Sequence, residues 1–111
     1  MEHIKNDNNI LYELDVVINK RKDAQPDTSY VASLFAKGDK YIGEKILEET
    51  NELIEAVNSK EKKDIIHETA DIWFHSIVML SNNNLSTQDV LHELRGRFGI
   101  SGHDEKKLRN K

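Results

Sequence analysis

Apolar side chains recur at helical spacing through most of this sequence, and a single proline interrupts its 111 residues. The residues of the first such face share one side of an α-helix and are Ile10, Leu11, Leu14, Val17 and Ile18. Similar patterns predict helices over residues 39–57 and 62–80, and another helix after Ser86. The sequence therefore predicts an all-α protein, a bundle of about five helices without strands.

Local signals place the ends of these helices. The segment "DTSYVASLFAKG", which follows Pro26, predicts a short helix that Asp27, Thr28 or Ser29 caps and Gly38 ends. Only the polar stretch "NSKEKK" separates the two longest predicted helices. Because a connection this short joins antiparallel neighbours, the two long helices are expected to pack side by side as a hairpin.

Composition narrows the class of protein. Sixteen basic and twenty acidic residues give a net charge of −4, which disfavours general binding to nucleic acid. The absence of cysteine excludes disulfides and thiolate metal sites. No apolar run approaches the roughly 20 residues of a membrane span, and the first residues lack an apolar signal-peptide core. We expect a cytoplasmic protein of one domain, residues 1–111, with flexible ends at 1–9 and 104–111.

Carboxylates cluster on both long helices. Glu48 lies four positions and Glu49 three positions before Glu52, so all three share one face of the first long helix. Glu68 and Asp71 lie three apart on the second, among largely apolar neighbours. Acids in such surroundings need a compensating partner.

The predicted hairpin would bring these acids together. Glu52 and Glu68 each lie about eight residues from a turn near Lys60, so at ~1.5 Å per residue both stand ~12 Å from the hairpin end. Glu49 would then lie beside Asp71. Carboxylates this close cannot all stay ionised without a cation, and oxygen ligands suit Mg²⁺ or Mn²⁺.

Other interpretations of these residues stay open. A glutamate-rich helix is most often an exposed, solvated face. A di-iron centre would need Glu-x-x-His from two helices, which Asp64 and His67 imitate only in part. His75, inside the apolar stretch, is interpreted as a packed core or interface histidine rather than a ligand.

Basic residues supply candidate phosphate contacts, because arginine and lysine pair with phosphate oxygens. The candidates are Lys37, Lys45, Arg95, Arg97, Lys106 and Arg109. Those near the carboxyl end could equally belong to a solvated tail. Lys45 could equally be a surface partner of Glu49, four positions on.

Three segments carry a resemblance to a known family. They are "SYVASLFAKGDKYIGEKILEETNELIEA", "HETADIWFHSIVML" and "RFGISGHDEKKLR". Glu48-Glu49-x-x-Glu52, followed after fifteen residues by Glu68-x-x-Asp71, resembles the signature of the all-α nucleoside triphosphate pyrophosphohydrolases, the MazG-like and dimeric dUTPase group. Within that group the chain is most similar to the phosphoribosyl-ATP pyrophosphohydrolases.

The resemblance implies an enzyme of the second step of histidine biosynthesis, which hydrolyses the α–β phosphoanhydride of phosphoribosyl-ATP. It also implies Mg²⁺, with Mn²⁺ as the alternative, held by Glu49, Glu52, Glu68 and Asp71. Glu48 or Glu49 would act as the base. The phosphates would contact Lys45 and the other basic candidates.

The resemblance further implies a homodimer or larger assembly with sites near the subunit interface. Two alternatives to the enzyme remain. One is a related MazG-like or dUTPase-type pyrophosphohydrolase with a different nucleotide substrate. The other is a helical interaction module without enzymatic activity, whose acids keep a dimer soluble.

Overall fold

The computed structural model describes residues 9–98, and its long elements are all helices. In chain order they are α1 (Ile10–Lys20), α2 (Tyr30–Lys37), α3 (Asp39–Ser59), α4 (Lys62–Asn82) and α5 (Thr87–Arg97). A 3₁₀ turn at Arg21–Asp23 follows α1. The predicted all-α class and the five helices are confirmed for this part of the chain. The ends predicted to be flexible lie outside the described residues, apart from Asn9.

The helix boundaries follow from their capping residues. Ser29 Oγ accepts a hydrogen bond from the Ala32 amide at 3.1 Å and begins α2. Gly38 separates α2 from α3 with φ of 90°, a conformation that a side chain would disfavour. Ser86 and Asp89 form a reciprocal capping box at the start of α5. The predicted caps at Ser86 and Gly38 are therefore confirmed, and Ser29 is the cap among the three candidates.

α3 and α4 form the central antiparallel hairpin, with the most extensive packing of any helix pair. Each is 21 residues long and runs two residues beyond its predicted end. Lys60 adopts a left-handed conformation, φ 62°, that ends α3 and reverses the chain. The long hairpin is the scaffold on which all the predicted acids lie.

The core lies between the hairpin and the two helices that precede it. Its fully enclosed side chains come from each of α1 to α4 and are Ile18, Leu34, Ile42, Ile77 and Val78. At Gly43 an added Cβ would lie 3.7 Å from Met79 Cε, an ordinary contact distance, so α3 passes close to α4 there. This core fixes the register of the hairpin and hence the heights of its acids.

α5 is held to α1 mainly through polar groups at its start. The buried Asp15 carboxylate accepts hydrogen bonds from the Thr87 amide at 3.0 Å and the Thr87 hydroxyl at 2.5 Å. The apolar residues of α5 remain largely exposed and line a groove of about 340 Å³ against α4 and α1. We name it the α4–α5 groove; it is lined by Leu11, Trp73, Ile77, Leu80, Leu91 and Leu94, among others. Among the described helices, none is long and apolar enough to span a membrane.

Candidate metal centre and active site

The hairpin places the predicted acids opposite one another. Glu49 and Glu52 lie on α3, and Glu68 and Asp71 lie on α4. Desolvation raises the pKa of Glu68, and the charge of Glu52 raises it further; burial raises the pKa of Glu49, and the charge of Asp71 adds to that increase. The two pairs therefore face each other across the hairpin, as their equal distances from the turn predict.

Glu49 is the enclosed member of the set, with 6% of its surface exposed. Burial raises the pKa of its carboxyl above the ordinary value, the neighbouring His75 lowers it, and Asp71 raises it again. Its Oε1 is buried, accepts no hydrogen bond of good geometry among residues 9–98, and lies 2.8 Å from His75 Nδ1. A buried carboxylate oxygen in this condition is costly unless a positive group compensates it.

Glu68, on α4, likewise has a carboxyl with a raised pKa and a buried oxygen. Desolvation raises the pKa of its carboxyl, and the charge of Glu52 is the next largest cause. Its Oε1 is also buried and lacks a hydrogen-bond partner in the described part of the chain. Each helix of the hairpin thus contributes one enclosed carboxylate oxygen.

The closest group of possible metal ligands lies on α4. His67, Glu68 and Asp71 each offer a ligand atom within 4.8 Å of the others. His67 Nε2 lies 3.3 Å from Asp71 Oδ2, on the exposed side of the group. Glu49 and Glu52 face this group from α3 rather than belonging to its tightest part. A set dominated by carboxylate oxygens, two of them enclosed, fits a hard divalent cation.

His75 joins three helices at the inner edge of the site. Its Nδ1 lies 3.0 Å from the Asp71 carbonyl oxygen and 2.8 Å from Glu49 Oε1. The geometry is that of a hydrogen bond to the carbonyl and of a close electrostatic contact to Glu49. Its Nε2 lies 2.7 Å from the Tyr30 hydroxyl, at the first residue of α2. The sequence interpretation of His75 as a packed histidine agrees with its burial but missed these partners.

Lys45 and Lys37 lie along the α2–α3 side. Lys45 Nζ donates to Glu48 Oε1 at 3.1 Å, and this hydrogen bond raises the pKa of Lys45. Burial raises the pKa values of Tyr30 and Glu49, and the charge of Lys45 offsets part of both increases. Lys37 instead lies over the Tyr41 ring, 4.3 Å from its centroid.

The other basic candidates are not joined to the acids within residues 9–98. Arg97 Nε donates to Glu93 Oε2 at 3.0 Å, on α5 itself. The Arg95 guanidinium lies 5.9 Å from the centroid of the Phe98 ring. Lys106 and Arg109 lie outside the described residues.

Two comparisons with known proteins show which family the chain is similar to. The model of the family described as phosphoribosyl-ATP pyrophosphohydrolase matches residues 11–98. A protein named phosphoribosyl-ATP pyrophosphatase from Hydrogenovibrio crunogenus (strain DSM 25203 / XCL-2) is 44% identical, over 94% of this chain and 96% of its own length. Proteins of the same name from Azoarcus sp. (strain BH72) and Aromatoleum aromaticum are 48% and 46% identical. These two matches cover 90% of this chain and 94% and 93% of the relatives.

Proposed function

This chain belongs to the phosphoribosyl-ATP pyrophosphohydrolase family, and from that premise we propose that it catalyses the second step of histidine biosynthesis. Water attacks phosphorus, the α–β phosphoanhydride bond of phosphoribosyl-ATP breaks, and phosphoribosyl-AMP and pyrophosphate leave. The observation that carries the proposal is the facing set of carboxylates, with an enclosed carboxylate on Glu49 and an enclosed, unpartnered oxygen on Glu68 among the described residues.

We assign the cation site to Glu49, Glu52, Glu68 and Asp71. Mg²⁺ is the cation that we expect, with Mn²⁺ as a substitute, because the ligands are mainly carboxylate oxygens. When bound, the cation would offset the charge of the triphosphate and of the departing pyrophosphate. Glu68 Oε1, which has no hydrogen-bond partner in the described part of the chain, would gain one at the same time.

The remaining residues would supply proton transfer and phosphate contacts. Glu48 is exposed and directly precedes the buried Glu49, so it can take the proton of the attacking water; Glu49 is the alternative base. Lys45, now paired with Glu48, can turn to a phosphate oxygen. Lys37, Arg95, Arg97, Lys106 and Arg109 remain candidates for further phosphate contacts. This assignment of roles requires no covalent nucleophile, because positioning and charge compensation account for most of phosphoryl-transfer catalysis.

Alanine substitutions of the assigned ligands test the proposal. Glu52→Ala and Asp71→Ala should lower the rate of pyrophosphate release by more than about 100-fold, since loss of an outer partner of a ligand alone costs about 10- to 100-fold. Circular dichroism and thermal unfolding establish that each variant folds. Full activity in a folded variant would contradict the assignment.

Glu44→Ala and Glu55→Ala are matched controls, since both residues are exposed on α3, the helix that carries Glu52. We expect them to retain the activity of the unsubstituted protein. An equal loss in the controls would attribute the effect to general charge rather than to the site.

We further propose that all 111 residues form one domain and that two copies associate through the α4–α5 groove. Trp73 and Leu94, which line the groove, are 59% and 53% exposed. An exposed apolar surface of this kind is typical of an interface between protein chains. Whether the basic residues that follow α5 serve their own site or that of the second copy would depend on this association. The proposed pathway fits the predicted cytoplasmic location, which cell fractionation would test.

A further inference from the structure

A chain of polar contacts leads from the surface of α2 to the enclosed carboxylate of Glu49. Tyr30 contacts His75, and His75 contacts both Glu49 and the backbone of Asp71. His75 is 5% exposed, and its ring meets Tyr30 and Phe74 edge to face. The ring is therefore held from several sides and cannot turn freely beside the acids.

The partners of the ring determine where its protons lie. A carbonyl oxygen only accepts hydrogen bonds, so the 3.0 Å contact with Asp71 requires a proton on Nδ1. With Nδ1 protonated, the other nitrogen of the neutral ring accepts, and the Tyr30 hydroxyl donates to Nε2 at 2.7 Å. The protonated edge of His75 then faces Glu49 Oε1, 2.8 Å away.

We propose that Tyr30 and His75 are positioning residues that fix the Glu49 carboxylate in the orientation in which it binds the divalent cation. The Asp71 carbonyl and the Glu49 carboxylate only accept hydrogen bonds, so they keep the proton on Nδ1. The Tyr30 hydroxyl holds Nε2 and with it the plane of the ring, and the Nδ1–H edge then fixes the position of the Glu49 carboxylate. The same nitrogen holds the Asp71 carbonyl and so anchors the turn of α4 that carries a second ligand. The inference rests on the proposed function, because it takes Glu49 and Asp71 as cation ligands.

The first test removes only the Tyr30 hydroxyl. Mn²⁺ binding to Tyr30→Phe is measured by electron paramagnetic resonance, with Tyr12→Phe, on the exposed side of α1, as the matched control. The dissociation constant for Mn²⁺ should rise about tenfold or more in Tyr30→Phe and stay unchanged in Tyr12→Phe. A value within about threefold of the unsubstituted protein would overturn the inference.

The second test separates the two nitrogens of His75. Asparagine places an amide N–H close to the position of Nδ1, whereas glutamine places one close to that of Nε2. His75→Asn should therefore retain more Mn²⁺ affinity than His75→Gln, with folding of both variants checked by circular dichroism. A purely structural role predicts no such order, so equal affinities or the reverse order would contradict the inference.

The tautomer itself is visible by ¹⁵N NMR of histidine-labelled protein without metal. We expect the Nδ1–H form of His75, because Nδ1 faces two groups that only accept hydrogen bonds. An Nε2–H form in the unsubstituted protein would overturn the inference, as would a complete lack of Mn²⁺ binding. None of these measurements uses phosphoribosyl-ATP. Inactivity towards that substrate, with the expected Mn²⁺ and NMR results, would therefore contradict the proposed function and leave the positioning intact.

Discussion

At the scale of single residues, the fold holds negatively charged carboxylates close together and partly shielded from water. The Glu68 carboxylate is desolvated and lies near Glu52, and both effects raise its pKa. Without a cation, this arrangement works against folding, because an ionised carboxylate loses hydration and meets a like charge. The binding site is thus expected to lower the stability of the metal-free protein.

Glu68→Gln should remove that repulsion. In EDTA, the variant should unfold at a higher temperature than the unsubstituted protein, and added Mg²⁺ should no longer raise its unfolding temperature. Differential scanning fluorimetry with and without Mg²⁺ measures both effects. Glu55→Gln, an exposed glutamate of α3, is the control and should change neither. A lower unfolding temperature for metal-free Glu68→Gln would show that Glu68 supports the fold instead.

The positions of the candidate acids on the hairpin could be predicted from the sequence, whereas the contacts of the residues that support them could not. Glu49, Glu52, Glu68 and Asp71 stand out because local helical spacing and a short turn determine which of them face each other. Tyr30 meets His75 only because α2 packs across the hairpin, 45 positions away in sequence. Such a contact depends on the docking of one helix on another, which periodicity within a helix does not encode.

At the scale of helices, α5 depends on one buried carboxylate. Asp15 lies on α1 and accepts hydrogen bonds from the amide and the hydroxyl of Thr87, the first residue of α5. A negative charge at this position also interacts favourably with the amino-terminal end of the helix dipole. Among the described residues, few other polar contacts join α5 to the rest of the protein. Its apolar side chains are also largely exposed, so they contribute little to its attachment.

Asp15→Ala should therefore weaken the attachment of α5. Loss of a buried acceptor leaves the Thr87 donors unsatisfied and should lower the free energy of unfolding by about 1–3 kcal/mol. Urea denaturation followed by circular dichroism measures this change. Glu13→Ala, an exposed position on the same helix, should have little effect, and equal stability of the two variants would contradict the role of Asp15.

The helices themselves were largely predictable, because caps and turns are local. Ser29, Gly38 and Ser86 lie where capping preferences place them. α3 extends further than predicted because Lys60 itself supplies the left-handed residue that ends it. α4 begins at Lys62, as predicted, and continues two residues further than predicted, to Asn82. What the periodicity of α5 did not reveal is that its apolar face points into an open groove rather than into the core.

At the scale of the whole molecule, the α4–α5 groove is an apolar surface that residues 9–98 leave exposed. Trp73→Glu should place a charge in the groove and shift the assembly from dimer to monomer. Size-exclusion chromatography with light scattering at micromolar concentration measures the mass. Tyr12→Glu is the control, because Tyr12 is also 59% exposed but lies outside the groove. A monomeric unsubstituted protein would contradict the proposed association.

The central claim is that the facing carboxylates serve hydrolysis of phosphoribosyl-ATP, and its most direct test is a quantitative analysis of the products. Purified protein is incubated with phosphoribosyl-ATP and Mg²⁺, and ordinary deoxynucleoside triphosphates are tested in parallel. The account predicts equal amounts of pyrophosphate and phosphoribosyl-AMP, formation that stops in EDTA, and slow or absent turnover of the deoxynucleotides. Rapid release of pyrophosphate from deoxynucleotides, with phosphoribosyl-ATP left intact, would contradict it.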